Sequence, residues 1–125
     1  MVEVELPDEA YVVRYGEMMR ETDLAYAALR HSLQYGGEYA LSVNTIPGAT
    51  PDEIAGAGRR PNKRFCYTTV GELRKAGFAV NPNCGPDGHT NIVLPSPPSS
   101  DDLNRLVACF TGTGDNPNPV RPEER

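Results

Sequence analysis

The chain has 125 residues, 17 acidic and 12 basic, and its formal net charge of −5 argues against broad nucleic-acid binding. This length suits one domain, and 12 glycines with 12 prolines favour short elements over a helical bundle. The acidic N-terminus has no apolar leader, apolar runs are short, and three cysteines form no CxxC pair. The sequence therefore predicts a cytoplasmic protein without a membrane partner.

Strands and helices alternate in the first half of the sequence. A strand is predicted at residues 2–6 and a stronger one at Tyr11–Tyr15. Leucines and a tyrosine at helical spacing predict a helix at residues 24–34, which the Gly36-Gly37 pair ends. Alternating apolar residues then predict a strand at residues 39–44.

Two capping boxes mark the next helices. In the first, Thr50 and Glu53 flank a proline suited to the first helical position, and the helix is short because glycines follow. A strand is predicted at residues 64–68. Thr69 and Glu72 form the second box, and Gly77 suits the left-handed position after that helix.

The last third contains a predicted hairpin and the best helix of the chain. Strands at residues 78–81 and 90–94 enclose a turn-rich loop. Ser99 or Ser100 then caps a helix with an apolar stripe from Leu103 to Phe110, and Gly112 ends it. Residues 113–125 are rich in proline and asparagine and are expected to be extended or disordered.

The predicted fold class is α+β, with a mixed or antiparallel sheet of four to five short strands and helices mainly on one face. Residues 1–112 form the single predicted domain. Its expected core comprises Val12, Leu29, Leu33, Leu41, Val43, Phe65, Leu73, Phe78, Ile92, Leu94, Leu103, Leu106 and Phe110.

Charge is separated along the chain. Residues 1–24 carry seven acids and two bases, whereas residues 59–75 carry six bases and one acid. This basic segment predicts a surface for a protein partner, or for the phosphates of RNA or a nucleotide. Its proposed binding residues are Arg59, Arg60, Lys63, Arg64, Tyr67 and Arg74, with Tyr67 able to stack on a base if exposed. Alternatively, the acidic N-terminal segment neutralises it.

The loop before the last hairpin strand is the first candidate for chemistry. Cys84, Asp87 and His89 lie within six residues, and a histidine beside a loop can act as a general acid or base near neutral pH. The alternative is an ordinary surface turn. A zinc site would need four ligands, and no such set is evident, so no metal is predicted.

Arg14 is a second candidate because it interrupts an apolar strand. By alternation it shares a face with Val12. On a core face its charge would need a carboxylate or ligand partner. If Tyr11, Val13 and Tyr15 face the core instead, Arg14 faces solvent.

Two short resemblances suggest enzymatic alternatives. Residues 72–94 resemble the core of small HicA-type mRNA interferases, which implies a catalytic role for His89, although Gly88 stands where those proteins have a small hydroxyl residue. Arg14 and the strand containing Ser42 resemble the early strands of NAD-dependent ADP-ribosyltransferases, but no later glutamate corresponds to the catalytic one. The sequence holds no dinucleotide or Walker motif and predicts no cofactor.

Three hypotheses about function follow. The first is a small interaction or regulatory module, such as one half of a two-component or toxin–antitoxin-like system. The second is an RNA- or nucleotide-directed enzyme that uses His89 with the basic segment. The third is an ADP-ribosyltransferase-like protein that uses Arg14 and Ser42.

Overall fold

The structure is a computed structural model that describes residues 6–16, 39–57, 63–82, 89–94 and 99–117. The predicted helix at residues 24–34, nearly all of the strand at 2–6, and most of the tail lie outside these ranges. Within them the elements are, in chain order, β1 (Tyr11–Tyr15), β2 (Ala40–Asn44), α1 (Pro51–Ala57), β3 (Arg64–Thr69), α2 (Val70–Lys75), β4 (Ala79–Pro82), β5 (His89–Val93), α3 (Ser100–Cys109) and β6 (Gly112–Asp115).

The six strands form one antiparallel sheet in the order β4-β5-β2-β1-β3-β6. The α+β class and the antiparallel sheet are therefore confirmed. The expected four to five strands are slightly too few, because the sequence indicated no strand at β6. This strand carries the sheet past residue 112, where the sequence placed the domain boundary.

Both faces of the central strands are buried. Val12 and Val13, neighbours on β1, are each fully buried, but they belong to different apolar clusters on opposite sides of the sheet. The face that carries Val12 is called the first face here, and the face that carries Val13 the second. Since adjacent strand residues point to opposite faces, this double burial fixes β1 as an interior strand.

Helices α2 and α3 cover the first face. Val70 and Leu73 of α2, with Leu103 and Leu106 of α3, pack against the apolar residues of the sheet. All eleven predicted core residues in the described ranges are buried: Val12, Leu41, Val43, Phe65, Leu73, Phe78, Ile92, Leu94, Leu103, Leu106 and Phe110. Leu29 and Leu33 lie outside those ranges.

Helix α1 packs on the second face, against β1 and the Phe65 ring of β3. Its Ile54 and Ala55 form a buried cluster with Val13 and Phe65. The hydroxyl of Tyr15 donates to the carbonyl of Ala55 at 2.6 Å, which ties the last turn of the helix to β1. Two of the three described helices thus share a face, as predicted, and the third lies opposite them.

Local sequence signals set the helix ends. Thr50 and Glu53 exchange the hydrogen bonds of a capping box at α1, and Thr69 caps α2 by accepting from the backbone of Glu72. Gly77 follows α2 with a φ of 93°, a conformation that glycine adopts without a Cβ penalty. These predicted signals are confirmed.

Helix α3 begins with a third capping box. The Ser99 hydroxyl accepts from the backbone of Asp102 at 3.1 Å, and the Asp102 carboxylate accepts from the backbone of Ser99 at 2.9 Å. The Ser99 backbone N–H lowers the pKa of the Asp102 carboxyl group, because this hydrogen bond favours the ionised form.

This cap predicts an acid-dependent contribution to stability. The pKa of Asp102 is lower in the folded state than in the unfolded state, so the ionised carboxylate stabilises the fold. This contribution is fully present at pH values above the unfolded-state pKa of about 4, and it is lost as the pH falls through the folded-state pKa. We expect Asp102→Asn to lower the urea midpoint at pH 6 and to match the wild type near pH 2. Asp101→Asn, which removes a carboxylate outside the cap, is the control. An Asp102→Asn deficit that stays constant down to pH 2 would contradict this assignment.

Candidate interaction surface

Two arginines of the basic segment are paired with carboxylates. Arg64 Nη1 lies 2.7 Å from Asp115 of β6, and Arg74 Nη1 lies 2.6 Å from Asp8. Asp8 belongs to the acidic N-terminal segment, so part of that segment does sit beside the basic one. Such exposed pairs add little stability. They do reduce the positive charge that these two arginines present to a partner.

The other predicted binding residues of the basic segment are less informative. Lys75 belongs to the basic segment but is not one of the predicted binding residues. It lies 3.7 Å from Glu72 on the same helix. Lys63 is exposed at the start of β3. Arg59 and Arg60 lie outside the described residues.

Tyr67 is packed within the second face of the sheet. Its ring is half-buried, meets Tyr11 edge-on at 5.8 Å between centroids, and lies directly over Gly112 of the neighbouring strand. Phe65, two residues earlier on the same face, lies over Gly114 in the same way. The β3 rings therefore occupy the space that side chains on β6 would otherwise fill.

This packing explains why β6 carries two glycines. Neither Gly112 nor Gly114 has a positive φ, so the backbone does not require glycine at either position. A Cβ at either position would overlap an aromatic ring of β3. Glycine is depleted in strands, which is why the sequence did not predict β6. The sequence does contain one signal for this strand. Gly112 and Gly114 are two residues apart, as are Phe65 and Tyr67, which is the spacing expected of residues on one face of paired strands.

The backbone bonds of β3 set the orientation of β6. The carbonyl of Arg64 accepts from Gly16 at 2.9 Å, so the backbone groups of Arg64 point toward β1. The carbonyl of Lys63 accepts from Asn116 at 2.8 Å and points the other way. Because these directions alternate along an antiparallel strand, the backbone groups of Phe65 also point toward β6.

The same alternation leaves one side of β6 unpaired. Gly112 and Gly114 pair with Tyr67 and Phe65, so their backbone groups point toward β3. The N–H and C=O groups of Thr113 and Asp115 point away from the sheet. Within the residues that the structure describes, no strand pairs with this outer side. Two donors and two acceptors are thus available at the edge.

An open groove of about 450 Å³ runs beside this edge on the second face. Pro51 and Asp52 of α1 form one wall, the Phe65 and Tyr67 rings line the interior, and β6 forms the other wall from Thr113 to Asp115. Asp52 is exposed. In the described part of the chain its carboxylate has neither an ion pair nor a hydrogen bond.

The sheet separates His89 from β3, the strand of the basic segment. His89 begins β5 and pairs with Asn44 of β2, and both β2 and β1 lie between β5 and β3. Three strand spacings correspond to roughly 14 Å between the backbones of β5 and β3. The preceding loop, with Cys84 and Asp87, lies outside the described residues. Among those described, no three His, Cys, Asp or Glu side chains are placed to hold a metal.

Arg14 is held by the backbone of the strand that carries Ser42. Its Nη1 donates to the Ser42 carbonyl at 2.9 Å, and burial lowers its pKa. Arg14 alternates with Val13 and so lies on the first face, whereas Ser42 alternates with the first-face residues Leu41 and Val43 and lies on the second. The two side chains proposed for transferase chemistry therefore project from opposite faces.

Comparison with known proteins adds no relative to these observations. No family model, no curated protein and no solved structure matches the chain. No helix in the described ranges is long and apolar enough to cross a membrane.

The glycine requirement of β6 can be tested by mutation. Gly112→Ala should destabilise the protein by about 1–3 kcal/mol, because the added methyl group overlaps the Tyr67 ring. In a Tyr67→Ala background, Gly112→Ala should lower the free energy of unfolding by less than about 0.5 kcal/mol. Urea unfolding of the wild type, the two single variants and the double variant would measure this coupling between the two positions.

Thr113→Ala, at an exposed position of the same strand, serves as the control and should change stability by no more than about 0.5 kcal/mol. Since alanine at an unstrained position usually stabilises a protein relative to glycine, a more stable Gly112→Ala variant would show that the ring does not occupy this space.

Proposed function

We propose that this protein is a cytoplasmic protein-interaction module that binds an extended segment of its partner as a seventh strand beside β6. The observation that carries the proposal is the outer side of β6, which no strand of the described residues pairs with and toward which the backbone groups of Thr113 and Asp115 are directed. An unpaired strand edge is a template for strand addition, a recurrent mode of peptide recognition.

The composition of β6 favours this use of the edge. Strand edges are commonly protected by lysine, proline or a bulge. The opposite edge strand, β4, includes Pro82, which has no N–H to offer. No such residue lies in Gly112–Asp115, and its glycines place no side chain on the second face. An approaching strand therefore meets accessible backbone at β6.

The charge distribution supports a protein partner over RNA. Arg64 and Arg74 already contact the carboxylates of Asp115 and Asp8, which weakens the attraction of this surface for phosphates. Backbone pairing needs no cationic surface. The interaction hypothesis thus uses features that the fold leaves accessible, whereas an RNA-directed role needs groups that are partly neutralised.

Proline at position 113 tests the proposal. The N–H of Thr113 points outward, so Thr113→Pro removes a donor from the free edge and leaves the β3 pairing intact. Wild-type protein should select β-forming sequences from a phage-displayed random heptapeptide library. Thr113→Pro should bind synthetic versions of these peptides at least about tenfold more weakly, a loss of 1.4 kcal/mol or more.

Thr113→Val is the matched control, because it keeps the outward N–H and a β-branched side chain and should bind like the wild type. Circular dichroism and the urea midpoint establish that each variant is folded. Failure to select any peptide, or equal binding by the proline variant, would overturn the proposal.

A further inference from the structure

We propose that the groove beside β6 selects a lysine or arginine side chain on the added strand, and that Asp52 of α1 recognises its charge. This inference rests on the proposed function and specifies the chemistry of the partner. It names one occupant, an extended peptide with a cationic residue facing the second face. The observations that carry it are the glycines of β6, the Tyr67 ring in the groove and the exposed Asp52 carboxylate.

Alternation directs every second side chain of an added strand toward the groove. On the second face, the β6 residues beside such a side chain would be Gly112 and Gly114, which have no side chains. In place of a cross-strand partner, the incoming side chain meets the half-buried ring of Tyr67 and the wall formed by α1. A long side chain has room in this groove.

The lining suits an aliphatic stem that ends in a positive charge. The stem would lie along the glycine backbone and the aromatic rings, as lysine and arginine stems do on apolar surfaces. At the far wall, the exposed Asp52 carboxylate has no ion pair or hydrogen bond within the described ranges. An arginine or lysine there also gains from the Tyr67 ring face.

The charges at the groove disfavour an acidic side chain. Arg64 alternates with Phe65 and so projects from the first face, where Asp115 binds it. Asp52 is the carboxylate on the wall that α1 contributes to the groove. A glutamate on the added strand would approach this like charge.

Host peptides with one variable residue test this selectivity. Fluorescein-labelled peptides of the sequence Thr-Val-Thr-X-Thr-Val-Thr, with X as lysine, norleucine or glutamate, are titrated by fluorescence polarisation. Wild-type protein should bind the lysine peptide at least about tenfold more tightly than the glutamate peptide, with norleucine between them. Asp52→Asn should reduce this ratio to about threefold or less.

Asp101→Asn, which removes an exposed carboxylate from the first turn of α3, is the charge-matched control and should keep the wild-type ratio. The ratio should also fall between 50 and 500 mM salt, because a partly exposed ion pair is screened. Thr113→Pro should weaken the binding of all three peptides by the same factor, because it removes a backbone N–H from the β6 edge.

These measurements separate the two proposals. If the three peptides bind equally and Thr113→Pro still weakens them, cation selectivity is wrong and strand addition stands. Lysine preference that survives Asp52→Asn also overturns the selectivity. If no peptide binds, or if Thr113→Pro binds normally, the proposed function itself fails. A wild-type dimer in sedimentation that Thr113→Pro dissociates would show that a second copy occupies the edge, which overturns peptide recognition.

Discussion

The packing of Phe65 and Tyr67 over the glycines of β6 is the constraint on which the second face depends. Phe65 is only 1% exposed, and it joins β3 both to β6 and to the α1 cluster of Ile54 and Ala55. Burial of an aromatic ring is a large apolar contribution, and here the same ring contacts a helix and an edge strand. The groove exists because these rings lean over a strand that has no side chains on that face.

The helices and the core were predictable because their signals are local. Capping residues three positions apart and apolar residues at helical or alternating spacing need no knowledge of the rest of the chain. This applies to Thr50 with Glu53 and to the stripe from Leu103 to Phe110. The same periodicity placed Val12 and Ile92 in the core, although it could not show that β1 is buried on both faces.

What the sequence could not predict is set by contacts between distant positions. The carboxylate that binds Arg64 is 51 residues away, and the one that binds Arg74 is 66 residues away. Strand order likewise puts two strands between His89 and β3, the strand of the basic segment. A glycine-rich strand has little intrinsic preference for its conformation, and β6 forms because aromatic rings on another strand leave room for it.

The sheet order also has a consequence during synthesis. β6 is the last strand in the described part of the chain, and its partner β3 precedes it by more than forty residues. Until β6 has left the ribosome, β3 itself is the open edge of the nascent sheet, with Phe65 and Tyr67 lacking the surface that later covers them. Ribosomes add about 5–20 residues per second, so this interval lasts seconds. Pairing of β6 with β3 is the step that ends this exposure.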